Sequence, residues 1–163
     1  MQSIIPCLWF DSNAEEAVNF YTSVFKNSKI GHVSRYGEAG FEIHGKPAGT
    51  VLTMEFELNG RPFTALNGGP MFKFNEAVSF QVHCDSQDEV DYYWSKLSQG
   101  GDENAQQCGW LKDKFGLSWQ IVPTVLIKLL QDKDAEKSAR VMNAMLQMKK
   151  LEIKPLQQAY DQK

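Results

Sequence analysis

Glu55 is the side chain in this sequence that is best placed to do chemistry. Residues 50–58 alternate strictly between two kinds of side chain, which predicts a β-strand. One face of this strand carries Leu52, Met54, Phe56 and Leu58, and the other carries Val51, Thr53, Glu55 and Glu57. A carboxylate in partly apolar surroundings can act as a general base. A solvated glutamate at a sheet edge fits the same pattern, so both interpretations stay open.

Other polar and aromatic side chains on or beside predicted strands could contact a ligand. They are Trp9, Thr53, Phe63, Asn67, Gln81, His83, Cys108, Trp110 and Gln120. Strand aromatics are as typical of a hydrophobic core as of a ligand pocket, and a lone histidine often completes a core or a sheet edge. Cys108 could be a nucleophile, but no histidine lies near it in the sequence to activate the thiol, so packing is its alternative role.

Two halves of similar order supply the elements that would position these residues. The first half predicts strands at 4–10, 30–36, 50–58 and 61–67, with a helix capped by Ser12 or Asn13 and a glycine-rich loop at 37–49. The second half predicts strands at 77–84, 107–112 and 117–122, with a helix capped by Asp85-Ser86. The shared order indicates an internal duplication, although two unrelated strand–helix pairs would produce the same pattern.

Helical periodicity dominates the chain after Pro123. A short helix is predicted after this proline, a longer one at 134–148, and a third at 151–160 that is interrupted near Pro155. This tail could pack on its own chain or across a dimer.

The composition excludes several classes of protein. The 163 residues include 17 basic and 20 acidic side chains, so the net charge of −3 gives no reason to expect nucleic-acid binding. No apolar stretch approaches the roughly 18 residues that a membrane span needs, and the N-terminus lacks a secretion signal. The 3 cysteines fit neither a disulfide framework nor a zinc pattern, so a cytoplasmic protein with reduced thiols is expected.

Several strings resemble one branch of the vicinal-oxygen-chelate superfamily, which contains glyoxalases and bleomycin-resistance proteins. These strings are LNGGP at 66–70, FKF at 72–74, CGWLKDKFGLSWQIVP at 108–123 and AMLQMKK at 144–150. The branch carries the label 3-demethylubiquinone-9 3-methyltransferase. The resemblance implies an α+β fold with two tandem βαβββ modules that form curved mixed sheets. The paired modules would span residues 1–123 (about 1–70 and 77–123), and a helical extension would span 124–163.

The resemblance also implies a place for chemistry, namely a cup formed by the curved sheets. Superfamily members bind a divalent metal there through His, Glu or Gln side chains on the first and last strands of each half. Here those strands offer only the neutral amides of Asn67, Gln81 and Gln120, and His83 at a strand end, with Gln120 in the place of the last-strand carboxylate. Neutral amides do not offset the cost of dehydrating a metal ion, so no metal and no other cofactor is predicted.

Four functions are therefore compatible with the sequence. A small-molecule binding protein or a metal-independent enzyme would hold its ligand in the cup, and a homodimer is expected by analogy with the superfamily. The alternatives are a metal-dependent lyase or dioxygenase and a dimerising scaffold without catalysis. Methyl transfer is not expected, because Asp11-Ser12-Asn13 occupies the turn where a glycine-rich loop usually receives S-adenosylmethionine.

Overall fold

The computed structural model describes residues 2–162, and the chain forms two compact units, Met1–Lys73 and Phe74–Lys163. The first unit is a complete βαβββ module with one additional short helix. Its elements are β1 (Cys7–Phe10), α1 (Ala14–Val24), β2 (Lys29–Arg35), α2 (Phe41–His44), β3 (Val51–Leu58) and β4 (Arg61–Asn67). The sheet has the order β1-β4-β3-β2, with β1 parallel to β4 and the other neighbours antiparallel.

The core of the first unit lies between α1 and one face of this sheet. The helix buries Ala17, Val18, Tyr21 and Val24, which recur at helical spacing. From the sheet, Met54, Phe56 and Leu58 are buried with Leu8, Phe10 and Ala65. The alternation of residues 50–58 therefore gave the correct buried face, and it leaves Thr53, Glu55 and Glu57 on the opposite face.

The second unit contains a smaller sheet, with three strands in its described part. Its elements are β5 (Ser79–Cys84), α3 (Gln87–Ser98), a 3-10 turn (Glu103–Ala105), β6 (Trp110–Lys112), β7 (Ser118–Pro123), α4 (Thr124–Leu130), α5 (Ala135–Leu146) and α6 (Ile153–Asp161). The strand order is β5-β7-β6, with β5 parallel to β7 and β6 antiparallel to it. The α+β class and the tandem modules are confirmed, and the three described strands of this sheet correspond to the three segments predicted for the second half.

The predicted strand at 107–112 is wrong in its first half. Cys108 and Gly109 have φ angles of 50° and 85°, in the left-handed region where a strand cannot continue. Gln107 instead folds back to form an isolated bridge with Trp110. The backbone N–H groups of Cys108 and Gly109 donate to the carbonyls of Met148 and Lys149, both at 2.8 Å. The tail carbonyls therefore bind the N–H groups of this turn, while the Gly109 carbonyl accepts from Ile121 N of β7 at 2.8 Å.

The helical tail packs on the second module of its own chain. Leu126, Val141, Leu151 and Leu156 form its buried centre. The side chain of Gln87 on α3 binds the same segment twice, donating to Leu151 O at 3.2 Å and accepting from Ile153 N at 2.8 Å. No helix within residues 2–162 is long and apolar enough to span a membrane.

Pro155 does not interrupt the last helix as the sequence suggested. The helix α6 begins at Ile153, so the proline lies in its first turn. A backbone N–H in the first turn has no partner within the helix, and its absence from proline costs nothing there.

Candidate functional site

The polar face of the first sheet contains the best-formed candidate site. Glu55 pairs with Thr64 on one neighbouring strand, and Thr64 pairs in turn with Cys7. Directly paired residues present their side chains on the same face of a sheet. Glu55 and Thr64 therefore lie side by side on the face opposite α1.

A β-bulge in β2 lies directly against Glu55. Ile30 pairs with Phe56 and Val33 pairs with Met54, so Gly31 and His32 together oppose the single residue Glu55. Such a bulge locally removes ladder pairing and bends the strand. A Cβ added at Gly31 would lie 3.3 Å from both the Cβ and the backbone oxygen of Glu55. The glycine thus leaves open the space beside the carboxylate.

A cleft of about 180 Å³ occupies this space. Its lining combines charged, polar and apolar groups: Ile5, Lys29, Gly31, Glu55, Phe56, Glu57, Pro62, Phe63 and Thr64. Ligand sites typically have mostly apolar walls with a small number of polar groups that orient the ligand. The cleft has the same combination of apolar and polar groups, in a smaller volume than a typical ligand site.

Three charged side chains line the cleft, and two of them form an ion pair with each other. Lys29 Nζ lies 3.1 Å from Glu57 Oε1, so these two groups neutralise each other at one end. The carboxylate of Glu55 makes no hydrogen bond or ion pair with another residue in the range 2–162. Glu55 is exposed, which agrees with the solvated glutamate that the sequence pattern allowed, and its carboxylate is open to a ligand.

The remaining predicted residues of the first unit lie around the cleft or in the core. Trp9 donates from Nε1 to Gly69 O at 2.8 Å and packs edge-on against Phe72. The hydroxyl of Thr53 is hydrogen-bonded to that of Ser34 at 2.5 Å. Phe63 stacks on the buried Phe56 with ring centroids 5.3 Å apart, and it also lines the cleft.

Asn67 has a structural role instead of the ligand contact that the sequence suggested. Its side chain is buried, with Oδ1 accepting from Ala14 N at 2.9 Å and Nδ2 donating to Val51 O at 3.1 Å. The predicted side-chain caps Ser12 and Asn13 are therefore wrong for α1. Asn13 occupies the cap position without a side-chain hydrogen bond, and the amide of Asn67 binds the helix N-terminus.

The second sheet presents a hydrogen-bonded row of neutral side chains on its polar face. Gln120 donates to Ser79 Oγ at 2.8 Å and accepts from Gln81 Nε2 at 3.3 Å. His83 Nε2 lies 3.2 Å from Gln81 Oε1, a contact in which the ring N–H donates. Trp110 pairs with Gln120 and shares its face. The structure thus brings together four residues that the sequence singled out.

The thiols of Cys7 and Cys84 are not activated by their surroundings. Burial raises the pKa of the Cys7 thiol, and burial with the nearby Glu89 and Asp85 charges raises the pKa of Cys84 to about 12. Both groups remain protonated at neutral pH, which disfavours nucleophilic attack. Cys108 lies in the turn held by the tail, and its Sγ accepts from Gln107 Nε2 at 3.4 Å.

Comparison with known proteins identifies the family. The model of the 3-demethylubiquinone-9 3-methyltransferase family matches residues 2–122. A PhnB protein from Bacillus cereus with the same description is 37% identical, with a TM-score of 0.65, over 76% of this chain and 100% of that one. The chain belongs to this family. Comparison with curated proteins gave no match.

More distant structures share the fold of this 3-demethylubiquinone-9 3-methyltransferase family member. Protein PA1353 from Pseudomonas aeruginosa is 18% identical, with a TM-score of 0.56, over 76% of this chain and 98% of its own. The fosfomycin resistance protein FosX from Listeria monocytogenes is 17% identical, with a TM-score of 0.50, over 80% of this chain and 98% of its own. The expected glyoxalase-like, vicinal-oxygen-chelate fold is confirmed.

The residues of this family member do not fit S-adenosylmethionine, the cofactor that the family's description implies. Asp11, Ser12 and Asn13 form the turn between β1 and α1, where a nucleoside cofactor would need closely approaching glycines. The first N–H of α1 already binds Asn67 Oδ1. The sheets are mixed, with antiparallel neighbours, and differ from the parallel sheet of a typical methyltransferase.

The residues do not fit the superfamily's divalent metal either. The resemblance places Gln120 at the last-strand carboxylate of the superfamily, and both of its polar atoms bind neighbouring side chains. Within residues 2–162, no three His, Cys, Asp or Glu side chains are grouped closely enough to hold a metal ion. A set of neutral amides lacks the charge that compensates a divalent cation for its lost water.

Sequence reasoning missed much of the cleft around Glu55. Gly31, Lys29, Glu57, Pro62 and Thr64 all line it, and none was singled out as a site residue. A glycine inside an otherwise continuous strand pattern is a known signal for a bulge or a close approach. The string KIGHVSR at 29–35 carried that signal.

Proposed function

We propose that this protein binds a small organic molecule in the cleft of its first module, with Glu55 as the polar anchor. The observation that carries this proposal is the bulge of β2, which opens space beside a carboxylate with no partner among the described residues. A bulge gives up regular ladder pairing, and bulges are enriched beside active sites. The apolar side chains of Ile5 and Pro62 supply contact area for the rest of the ligand.

Metal-independent catalysis in the same cleft is the second candidate function. The same carboxylate favours it, because an unpaired glutamate beside the hydroxyl of Thr64 could accept a proton from a bound substrate. Binding needs only the charge and shape of Glu55, whereas catalysis also needs its basicity.

Replacing Gly31 with alanine tests the binding site directly. The new Cβ would lie in the space beside Glu55, at 3.3 Å from its Cβ, so we expect fragment affinity to fall by about tenfold or more. Gly31 has no left-handed φ, but the new Cβ would also lie 3.3 Å from the backbone oxygen of Glu55, so we expect this overpacking to cost about 1–3 kcal/mol of stability. Ligand-observed NMR with a library of small organic fragments measures the change.

Gly37→Ala is the matched control, because Gly37 lies in an exposed loop where an added Cβ meets nothing closer than 4.0 Å. This variant should bind the same fragments as the parent protein. Equal fragment binding by the Gly31→Ala variant, the control and the parent would contradict a ligand site in this cleft.

We also propose that the protein is a homodimer, as its superfamily resemblance suggests. Light scattering at micromolar concentration should give twice the 18.5 kDa mass of one chain. A mass of one chain across the accessible concentration range would overturn this proposal.

The three free cysteines support a reducing, cytoplasmic environment.

A further inference from the structure

We infer that the cleft selects organic cations, in particular small molecules with a protonated amine next to an apolar group. This inference rests on the proposed function and specifies its ligand class. It starts from the charges in the lining, which are those of Lys29, Glu55 and Glu57. Lys29 and Glu57 form an ion pair at 3.1 Å, so the charge left for a ligand is the negative charge of Glu55.

The position of Thr64 adds a second acceptor for an ammonium group. Thr64 is the register partner of Glu55, and paired Cβ atoms in an antiparallel sheet are roughly 5 Å apart. An ammonium has three N–H donors and no acceptor, so it can donate to a carboxylate and to a neighbouring hydroxyl at once. A hydrogen bond between ionised partners is roughly twice as strong as a neutral one.

The same arrangement disfavours anionic ligands. A carboxylate or phosphate in the cleft would meet the two carboxylates of Glu55 and Glu57 and the single ammonium of Lys29, so the net negative charge of the lining disfavours it. A neutral alcohol could donate one hydrogen bond to Glu55 but would gain no charge–charge attraction. The expected order of affinity is therefore ammonium, then alcohol, then carboxylate.

The space beside Gly31 limits the size of the ammonium end of the ligand. The bulge holds Gly31 and His32 opposite Glu55, and the missing side chain at Gly31 leaves room directly against the carboxylate. The apolar part of the ligand would lie toward Ile5 and Pro62, which line the same cleft. The site thus fits a compact amine attached to a flat or branched hydrocarbon group.

Three probes of equal size and different charge test the inference: benzylamine, benzyl alcohol and benzoate. Titrations at pH 7 are followed by the backbone amide signals of the ¹⁵N-labelled full-length protein, with Gly31 as the reporter for the cleft. We expect benzylamine to bind about tenfold more tightly than benzyl alcohol and benzoate to bind most weakly. The preference for benzylamine should shrink at high salt, because screening weakens exposed ion pairs.

Glu55→Gln removes the charge while keeping the shape of the side chain, and it should abolish the preference for benzylamine over benzyl alcohol. Glu42→Gln is the matched control, since Glu42 is an exposed residue of α2 outside the cleft, and it should retain the preference. Thr64→Val should lower the affinity for benzylamine more than it lowers the affinity for benzyl alcohol. Thermal unfolding of each variant verifies that the fold is intact.

The outcomes separate this inference from the proposed function. Equal binding of benzylamine and benzyl alcohol at the Gly31 signal, with both lost in the Gly31→Ala variant, would refute cation selection and leave the ligand site in place. Preference for benzylamine that persists in Glu55→Gln would also refute it. If none of the three probes shifts the Gly31 signal at millimolar concentration, both the inference and the proposed cleft are wrong.

Discussion

Replacing Asp113 with alanine is expected to lower the free energy of unfolding of the second unit by about 3–5 kcal/mol. The buried carboxylate accepts from the backbone of Phe115 at 2.8 Å and of Leu117 at 3.0 Å, and from Trp119 Nε1 at 2.8 Å. Alanine would leave these donors without their partner at the centre of the turn before β7. Urea unfolding followed by circular dichroism measures the loss.

Two further variants show whether the hydrogen bonds of Asp113 in this turn cause the expected loss of stability. Asp113→Asn retains one oxygen but turns an N–H donor toward the partners of the other, so an intermediate loss is expected. Asp102→Ala removes the same charge from an exposed residue that accepts from Asn104 N in the 3-10 turn, and its effect should stay within about 1 kcal/mol. A loss for Asp113→Ala no greater than for Asp102→Ala would contradict the assigned role.

Local patterns in the sequence were sufficient to predict which side chains of a strand face the core and which face the polar side of the sheet. Alternation along 50–58 placed Met54 and Phe56 in the core and Glu55 on the polar face, as the structure shows. Ser86 was also recognised as the cap of α3, and it accepts from Glu89 N at 3.2 Å. These features depend on residues within four positions of one another, so periodicity and capping rules apply to them directly.

Features that depend on distant partners could not be derived in this way. The register of β2 against β3 decides that Gly31 opposes Glu55, and the sequence pattern alone does not give register across a loop of this length. Cys108 and Gly109 were assigned to a strand because their neighbours look like one, yet carbonyls about 40 residues later hold them in a turn. In both cases a long-range backbone contact overrides the local preference.

The family description and the residues of the site point to different chemistry. The shared fold is certain from the 37% identical Bacillus cereus protein, but a fold hosts many functions and the site must decide among them. Here the turn after β1 lacks glycines, and the amide of Gln120, at the position that the resemblance gives to a metal-binding carboxylate, is bonded to Ser79 and Gln81. The most distinctive feature that remains is the bulged strand beside Glu55.

Asn67→Ala provides the second large effect and tests whether this residue is structural or ligand-binding. The variant should be about 2–4 kcal/mol less stable, because it leaves Ala14 N–H and the Val51 carbonyl buried without their partners. Asn75→Ala is the matched control, since exposed Asn75 accepts only a local hydrogen bond from Ala77 N in the described structure. Its stability should change by less than about 1 kcal/mol.

A measurement of ligand affinity distinguishes a structural role of Asn67 from a ligand-binding role, which a measurement of stability alone does not do. Asn67 lies in the core between α1 and β3 and does not line the cleft of Glu55. Under conditions where the Asn67→Ala variant remains folded, its affinity for benzylamine should therefore equal that of the parent protein. A selective loss of affinity with little loss of stability would instead place Asn67 in the binding site, as its position at the end of a predicted strand suggests.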